Sequence, residues 1–304
     1  MSGPAQIVVD TGGIRLAALD YGNPGAPPLV VLHGQGDLAW SMDSVAAALA
    51  PDFHVVSLDL RGHGHSERGA YTMPHFVGDL RGAIEALGLE RPVLVGHSLG
   101  GQVVAQFAGL YPEVPRLIVL VEAIGPPTRA RQDIGPTRRR LMDRQLVETV
   151  RTRPRRRPMP DAAAAADRLR QVHPGLDPER LERLVELGTT TAPEGGVEWR
   201  FDPSSRDWLA SFDPTLAEER WQGIRCPVLV ILGGDSWDRF WKDRLPPFAG
   251  AELDGPMSTA ERDRRLACFA DVELTEIDGA GHMVHFDAPA ELNDAIAGFL
   301  ARRL

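Results

Sequence analysis

The sequence predicts an α/β fold built on a mainly parallel, doubly wound sheet of about eight strands. Short apolar runs alternate along the chain with longer helix-like stretches. Most of these runs are continuously apolar, as expected of strands covered on both faces. The alternation breaks between about Pro126 and Gln222, which reads as a helical insertion.

The elements follow in order. Gln6–Val9 and Ile14–Asp20 read as an antiparallel hairpin leading into the sheet. Pro28–Leu32, His54–Leu58, Pro92–Val95, Leu117–Val121, Pro227–Leu232 and Val272–Ile277 read as buried strands. Helices are expected at Ser41–Leu49, Pro74–Leu87, Leu99–Tyr111, Thr259–Phe269 and Ala288–Leu300. The insertion holds helix candidates at Arg138–Val150, Asp161–Val172 and Pro178–Leu187, and no convincing strand run. Asp161 suits the N-cap of the alanine run that follows it. The expected division is a core of residues 1–125 and 223–304, with a cap or lid at 126–222. Five arginines lie among three prolines over Arg151–Pro160. The simplest reading is a solvated connection between cap helices.

Composition narrows the function. The chain has 304 residues, 43% hydrophobic and 25% charged, enough to bury a large core without disulfides. Its net charge of −9 argues against nucleic acid as a partner. Cys226 and Cys268 stand far apart and suggest neither a metal site nor a disulfide framework. The N-terminus lacks a basic start and a long apolar run, and no apolar run is long enough to span a bilayer. A cytoplasmic protein without membrane contact is expected, and self-association into a homo-oligomer stays open.

The chemistry centres on Gly96-His97-Ser98-Leu99-Gly100, a G-x-S-x-G pattern directly between a strand and a helix. That is the setting of a nucleophile elbow. The serine sits on a tight turn, so small neighbours are needed. The helix N-terminus beneath it favours developing negative charge.

On this pattern and four further motifs the chain resembles the α/β-hydrolase superfamily along nearly its whole length outside the cap. His33-Gly34-Gln35-Gly36, after the third strand, resembles the family's oxyanion loop. Asp59-Leu60-Arg61-Gly62-His63-Gly64-His65-Ser66 resembles its D-x-R-G-x-G-x-S segment. Gly279-Ala280-Gly281-His282 resembles its catalytic-histidine loop, and Phe286-Asp287-Ala288-Pro289 its lead into the last helix. The resemblance implies Ser98 as nucleophile, His282 as base, and backbone N–H groups of Gln35 and Leu99 as the oxyanion hole. His285 is the rival to His282. His97 reads as structural or as a substrate neighbour. His63 and His65 suggest a metal pair without a third ligand, so neither metal nor cofactor is expected.

The third triad member stays open. The family's usual acid follows the Pro227–Leu232 strand in a pattern like G-x-x-D. Here Gly233-Gly234-Asp235-Ser236-Trp237-Asp238 puts Ser236 in that slot, Asp235 one residue early and Asp238 two late. Some haloalkane dehalogenases, and a related luciferase, place a glutamate after the strand that follows the nucleophile helix. Glu122 stands there. Glu122 is favoured over Asp235.

A serine nucleophile points to acyl transfer: ester, lactone or thioester hydrolysis of a small acyl substrate. Carbon–carbon bond hydrolysis, a cofactor-free lyase or oxygenase, and a non-catalytic small-ligand receptor are the alternatives. No G-x-G-x-x-G opens the first βα unit, which excludes a dinucleotide-binding reading. Expected substrate neighbours are His33, Gly34, His97, Trp40, Trp237 and Met283, with Phe240 beside them. Trp199, Phe201, Trp208, Phe212 and Trp221 of the cap are further pocket candidates.

Overall fold

A computed structural model describes residues 3–125, 156–208, 212–242 and 256–304, with positions 144, 147 and 151. Most of the expected helix Arg138–Val150, and residues 152–155 of the arginine-rich stretch, lie outside the described residues.

The main sheet has eight strands: β1 (Ala5–Asp10), β2 (Arg15–Asp20), β3 (Pro28–Leu32), β4 (His54–Leu58), β5 (Val93–His97), β6 (Leu117–Val121), and, beyond the insertion, β9 (Val228–Gly233) and β10 (Val272–Ile277). Their order is β1-β2-β4-β3-β5-β6-β9-β10. β1 and β2 form the expected antiparallel hairpin, β2 runs antiparallel to β4, and the strands from β4 onward are parallel.

Strand side chains alternate between two cores. In β6, Ile118 and Leu120 join one core with α2 (Met73–Ala86) and α3 (Leu99–Leu110). Leu117, Val119 and Val121 join the other, with α1 (Asp43–Leu49) and the last helix, Pro289–Arg303. Burying a side chain of this size contributes roughly 1.5–3 kcal/mol. β10 departs from the expectation of a doubly covered strand. It is the sheet edge, so Glu273 and Glu276 reach arginines: Arg302 donates to Glu273 at 2.7 Å, and Arg262 to Glu276 at 2.7 Å.

The described residues of the insertion carry helices and, beside them, one short hairpin that the sequence reading did not expect. Ala162–Val172 and Pro178–Gly188 are helices capped by Asp161 and Asp177, whose carboxylates accept from Ala164 N at 2.9 Å and Arg180 N at 3.0 Å. Between them and β9 lies an antiparallel hairpin of β7 (Thr189–Thr191) and β8 (Val197–Trp199). Such short strands carry no apolar run that a sequence pattern would register. A 3₁₀ turn at Pro203–Arg206 and a helix at Pro214–Trp221 follow. A third apolar cluster of Met159, Ala165, Leu181, Leu184 and Val185 closes on Leu38 and Phe286, so the described part of the insertion packs against the loops that follow β3 and β10. No helix among the described residues is long and apolar enough to cross a membrane.

Candidate active site

Ser98 stands between β5 and α3 with φ 50° and ψ −113°. A non-glycine residue held at positive φ costs about 1–3 kcal/mol, which the surrounding packing must offset. The glycines around it permit that packing. A Cβ on Gly100 would lie 2.5 Å from Leu32 O and 2.6 Å from His33 O, both fixed backbone atoms. A Cβ on Gly34 would lie 2.7 Å from His97 Nδ1 and 3.3 Å from Ser98 Cβ, so the His33–Gly36 loop abuts the serine. Gly100 N–H donates to His33 O at 3.1 Å and ties the two loops together. Ser98 is half-buried, within reach of a ligand.

Ser98 Oγ lies 3.0 Å from His282 Nε2, and His282 Nδ1 lies 2.9 Å from Glu122 Oε2. His282 is 3% exposed and Glu122 8%. The Glu122 carboxylate accepts two further hydrogen bonds, from Gly233 N–H to Oε1 at 2.7 Å and from Ser236 Oγ–H to Oε2 at 2.7 Å. Glu122 is a second non-glycine residue at positive φ, 52°. The register explains why two strands can supply an acid here. Val121 pairs with Ile231, so β6 and β9 end side by side.

Asp235 is not brought to His282. It is exposed, and its backbone N–H donates to Ala280 O at 2.9 Å. Asp238 is exposed and faces Lys242 at 4.0 Å. The contact that the sequence leaves unseen is Ser236. It occupies the usual acid slot and clamps the glutamate instead.

The His282 loop is held from several sides. Asp287 Oδ2 accepts from Gly281 N–H at 2.8 Å, and Arg239 donates to Asp287 Oδ1 at 3.0 Å. His97 Nε2 lies 2.9 Å from His282 O. Phe240 stacks on the His282 ring with centroids 4.1 Å apart, and Trp241 meets it edge-on at 4.8 Å. Both belong to a π-helical turn, Trp237–Trp241, directly after β9. Such turns are frequent at functional sites.

The expected substrate neighbours divide. Gly34 adjoins Ser98. His97 is 1% exposed; burial, then the neighbouring histidines, push it well below the ordinary imidazole range. Its role here is to hold the His282 loop. His33 is fully buried with both ring nitrogens engaged, by Gly34 O at 2.7 Å and Leu60 N–H at 3.0 Å. Burial lowers it to about 3, so it is a neutral scaffold residue with no polar atom left for a substrate. Trp40 lines a groove of about 710 Å³ with Asp43, Asp177, Arg180 and Glu186, whose lining includes none of Ser98, His282 and Glu122. Met283 packs in the cap cluster, and Trp237 is half-buried at the start of the π-helical turn. His285, the rival base, is fully buried 3.6 Å from Asp37 Oδ2 and behind His97.

The cap aromatics are mostly structural. Trp221 stacks on Phe269, and Trp199 packs in the cap cluster. Phe201 lies over His63 with centroids 6.4 Å apart. Trp208 is 6% exposed, packs edge-on against Phe212, and donates from Nε1 to Gln35 Oε1 at 3.0 Å. The Asp59–Ser66 segment also builds scaffold. Asp59 accepts from Ala39 N–H at 2.7 Å and His65 N–H at 2.9 Å, and Arg61 pairs with buried Asp79 through two bonds of 2.6 Å.

Known proteins agree with this architecture. The chain is 29% identical to epoxide hydrolase A of Mycobacterium tuberculosis over 99% of its own length and 98% of that protein. It is 27% identical to an esterase of the same organism, over 100% and 92%. The thioesterase domain from the curacin biosynthetic pathway superposes with a TM-score of 0.80 at 22% identity, covering 97% of this chain and 100% of that one. That last likeness shows the fold alone. The sequence pattern described as the alpha/beta hydrolase family matches residues 29–295, well over half of the chain, and the protein belongs to that family.

Proposed function

We propose that the protein hydrolyses an ester-type bond (ester, lactone or thioester) through an acyl-enzyme on Ser98. The observation that carries this reading is the continuous relay Ser98 Oγ–His282 Nε2–His282 Nδ1–Glu122 Oε2, with links of 3.0 and 2.9 Å.

The chemistry follows from the donors. The Glu122 carboxylate has only acceptors, so the proton between it and His282 sits on Nδ1. Nε2 is then the free base facing Ser98. As Oγ attacks the substrate carbonyl, its proton passes to Nε2, and Glu122 stabilises the imidazolium. Leu99 is the first residue of α3, so its N–H has no intrahelical partner and can meet the oxyanion. Gln35 N–H, on the loop that abuts Ser98, is the second donor. Collapse expels the leaving group, which takes the proton from His282. A water activated by the same nitrogen then releases the acid and restores Ser98.

The similarity to an epoxide hydrolase is not carried over. Opening an epoxide on a carboxylate gives an ester that water can cleave, whereas Ser98 would give an inert ether. The test is Ser98→Ala assayed on a panel of chromogenic short-chain esters and thioesters. In another triad enzyme loss of the nucleophile costs on the order of 10⁶ in turnover. A folded Ser98→Ala protein that keeps its activity would overturn the assignment.

A further inference from the structure

The side chain of Gln35 does not point to free solvent. Its amide is held at both ends by the cap. Trp208 Nε1–H donates to Gln35 Oε1 at 3.0 Å, and Gln35 Nε2–H donates to Ser205 Oγ at 2.7 Å. The same amide nitrogen lies 3.3 Å from His63 Nε2, which accepts from Gly36 N–H at 3.0 Å. His63 Nδ1 lies 2.9 Å from Arg61 O, so Nδ1 carries the proton and Nε2 is the acceptor. Burial lowers His63 to about 4, which keeps that acceptor free of a proton across the neutral range. Ser205 and His63 are fully buried. The 3₁₀ turn bearing Ser205 is itself anchored, through Asp202 N–H to Gly62 O at 2.6 Å and Tyr71 Oη–H to Asp202 Oδ2 at 2.9 Å.

We infer that Ser205 and Trp208 are positioning residues of the oxyanion hole, fixing through the Gln35 side chain the backbone N–H that receives the oxyanion. The inference rests on the acyl-transfer reading above. Its physical basis is that an oxyanion donor acts only if it is aimed before the charge develops. The Gln35 N–H belongs to a tight loop in which Gly36 takes φ 80° and Asp37 N–H reaches back to Gly34 O at 3.3 Å. The two cap bonds and the His63 bond to Gly36 grip this loop on either side of the donor. The donor is therefore in place only while the 203–208 segment is docked, and cap seating is built into the chemical step rather than only into substrate access.

The test uses Ser205→Ala and Trp208→Phe in the full chain. The first removes the acceptor of Gln35 Nε2, and the second removes the indole donor while keeping an aromatic ring. Each is compared with the parent and with Ser98→Ala for hydrolysis of a short p-nitrophenyl ester, and for inhibition by an alkyl boronic acid, which forms a tetrahedral adduct on serine. The expected result is a fall in kcat of about tenfold or more. KM should stay within about twofold, and boronate affinity should weaken in step with kcat/KM, as for a group that acts only on the tetrahedral state. A merely structural role would lower the melting temperature without this split. Unchanged kcat and boronate affinity in either folded variant, or a loss confined to KM, would overturn the inference while inactive Ser98→Ala leaves the acyl-transfer reading standing. An active Ser98→Ala would overturn both.

Discussion

Glu122→Gln is the most informative substitution at the triad, because the structure dictates how a glutamine must sit. The carboxylate receives three donors: Gly233 N–H on Oε1, and Ser236 Oγ–H and His282 Nδ1 on Oε2. A glutamine offers one oxygen and one NH₂. With the NH₂ in the Oε1 place it faces Gly233 N–H, two donors at 2.7 Å, and a buried unpaired N–H costs roughly 1–3 kcal/mol. With the NH₂ in the Oε2 place the Gly233 bond survives, and the Ser236 hydroxyl rotates to accept. The imidazole must then accept at Nδ1 and carry its proton on Nε2, facing Ser98. The second placement avoids the penalty, and it removes the base. We therefore expect a loss near 10⁴ in kcat, as a wrong-tautomer substitution produces in another triad, with little change in thermal stability. Asp235→Asn, at an exposed position, serves as the control and should stay within a few-fold of the parent. Steady-state ester hydrolysis beside thermal melts reads both effects. A Glu122→Gln protein within about tenfold of the parent, a gap of only 1.4 kcal/mol in the barrier, would show that Glu122 does not set the His282 tautomer. An Asp235→Asn loss of equal size would contradict the choice of Glu122 over Asp235.

Three further outcomes are expected. Ser236→Ala removes one of the two bonds that aim Glu122, so kcat should fall while KM holds; an unchanged kcat would show the clamp to be idle. Arg61→Met strands the buried Asp79 carboxylate without its partner and should cost about 3–5 kcal/mol in urea unfolding, against less than 1 kcal/mol if the pair were an exposed one. Stability should also fall on mild acidification. His33 and His63, lowered by burial to about 3 and about 4, stay neutral in the folded chain while the unfolded chain protonates them below about 6.5. Their contribution is complete above that pH and is lost as pH falls toward 4. Asp59, raised by burial to about 6, acts in the opposite sense over the same window. Two histidines outweigh one carboxylate, so stability should fall between pH 7 and pH 5, and a stability that rises over that range would contradict it.

The fold was legible where burial is simplest. β3, β5 and β6 are covered on both faces, so their apolar runs mark them. β10 is one residue longer but lies at the edge, and its two glutamates are the sign of that. The β7–β8 hairpin left no trace, because Thr189–Thr191 and Val197–Trp199 are too short for a pattern. At the site, Ser98 and His282 stand out through the glycines that their tight turns need. Glu122 and Asp235 remain alternatives in the sequence because β6 and β9 end side by side. What separates them is the donor set converging on Glu122 from Gly233 and Ser236, a relation between residues more than a hundred positions apart. The scaffold role of His33 and the tie from Gln35 to Ser205 are likewise invisible until the cap is folded over the loop.

The proposed mechanism requires that Ser98 become covalently acylated with His282 as its base. The direct measurement is intact-protein mass spectrometry after brief treatment with an alkyl fluorophosphonate, followed by peptide mapping. One adduct per chain is expected, located on Ser98, absent from Ser98→Ala and formed far more slowly in His282→Ala. Labelling at another residue, or hydrolysis of esters by a chain whose Ser98 stays unmodified and replaceable, would contradict it.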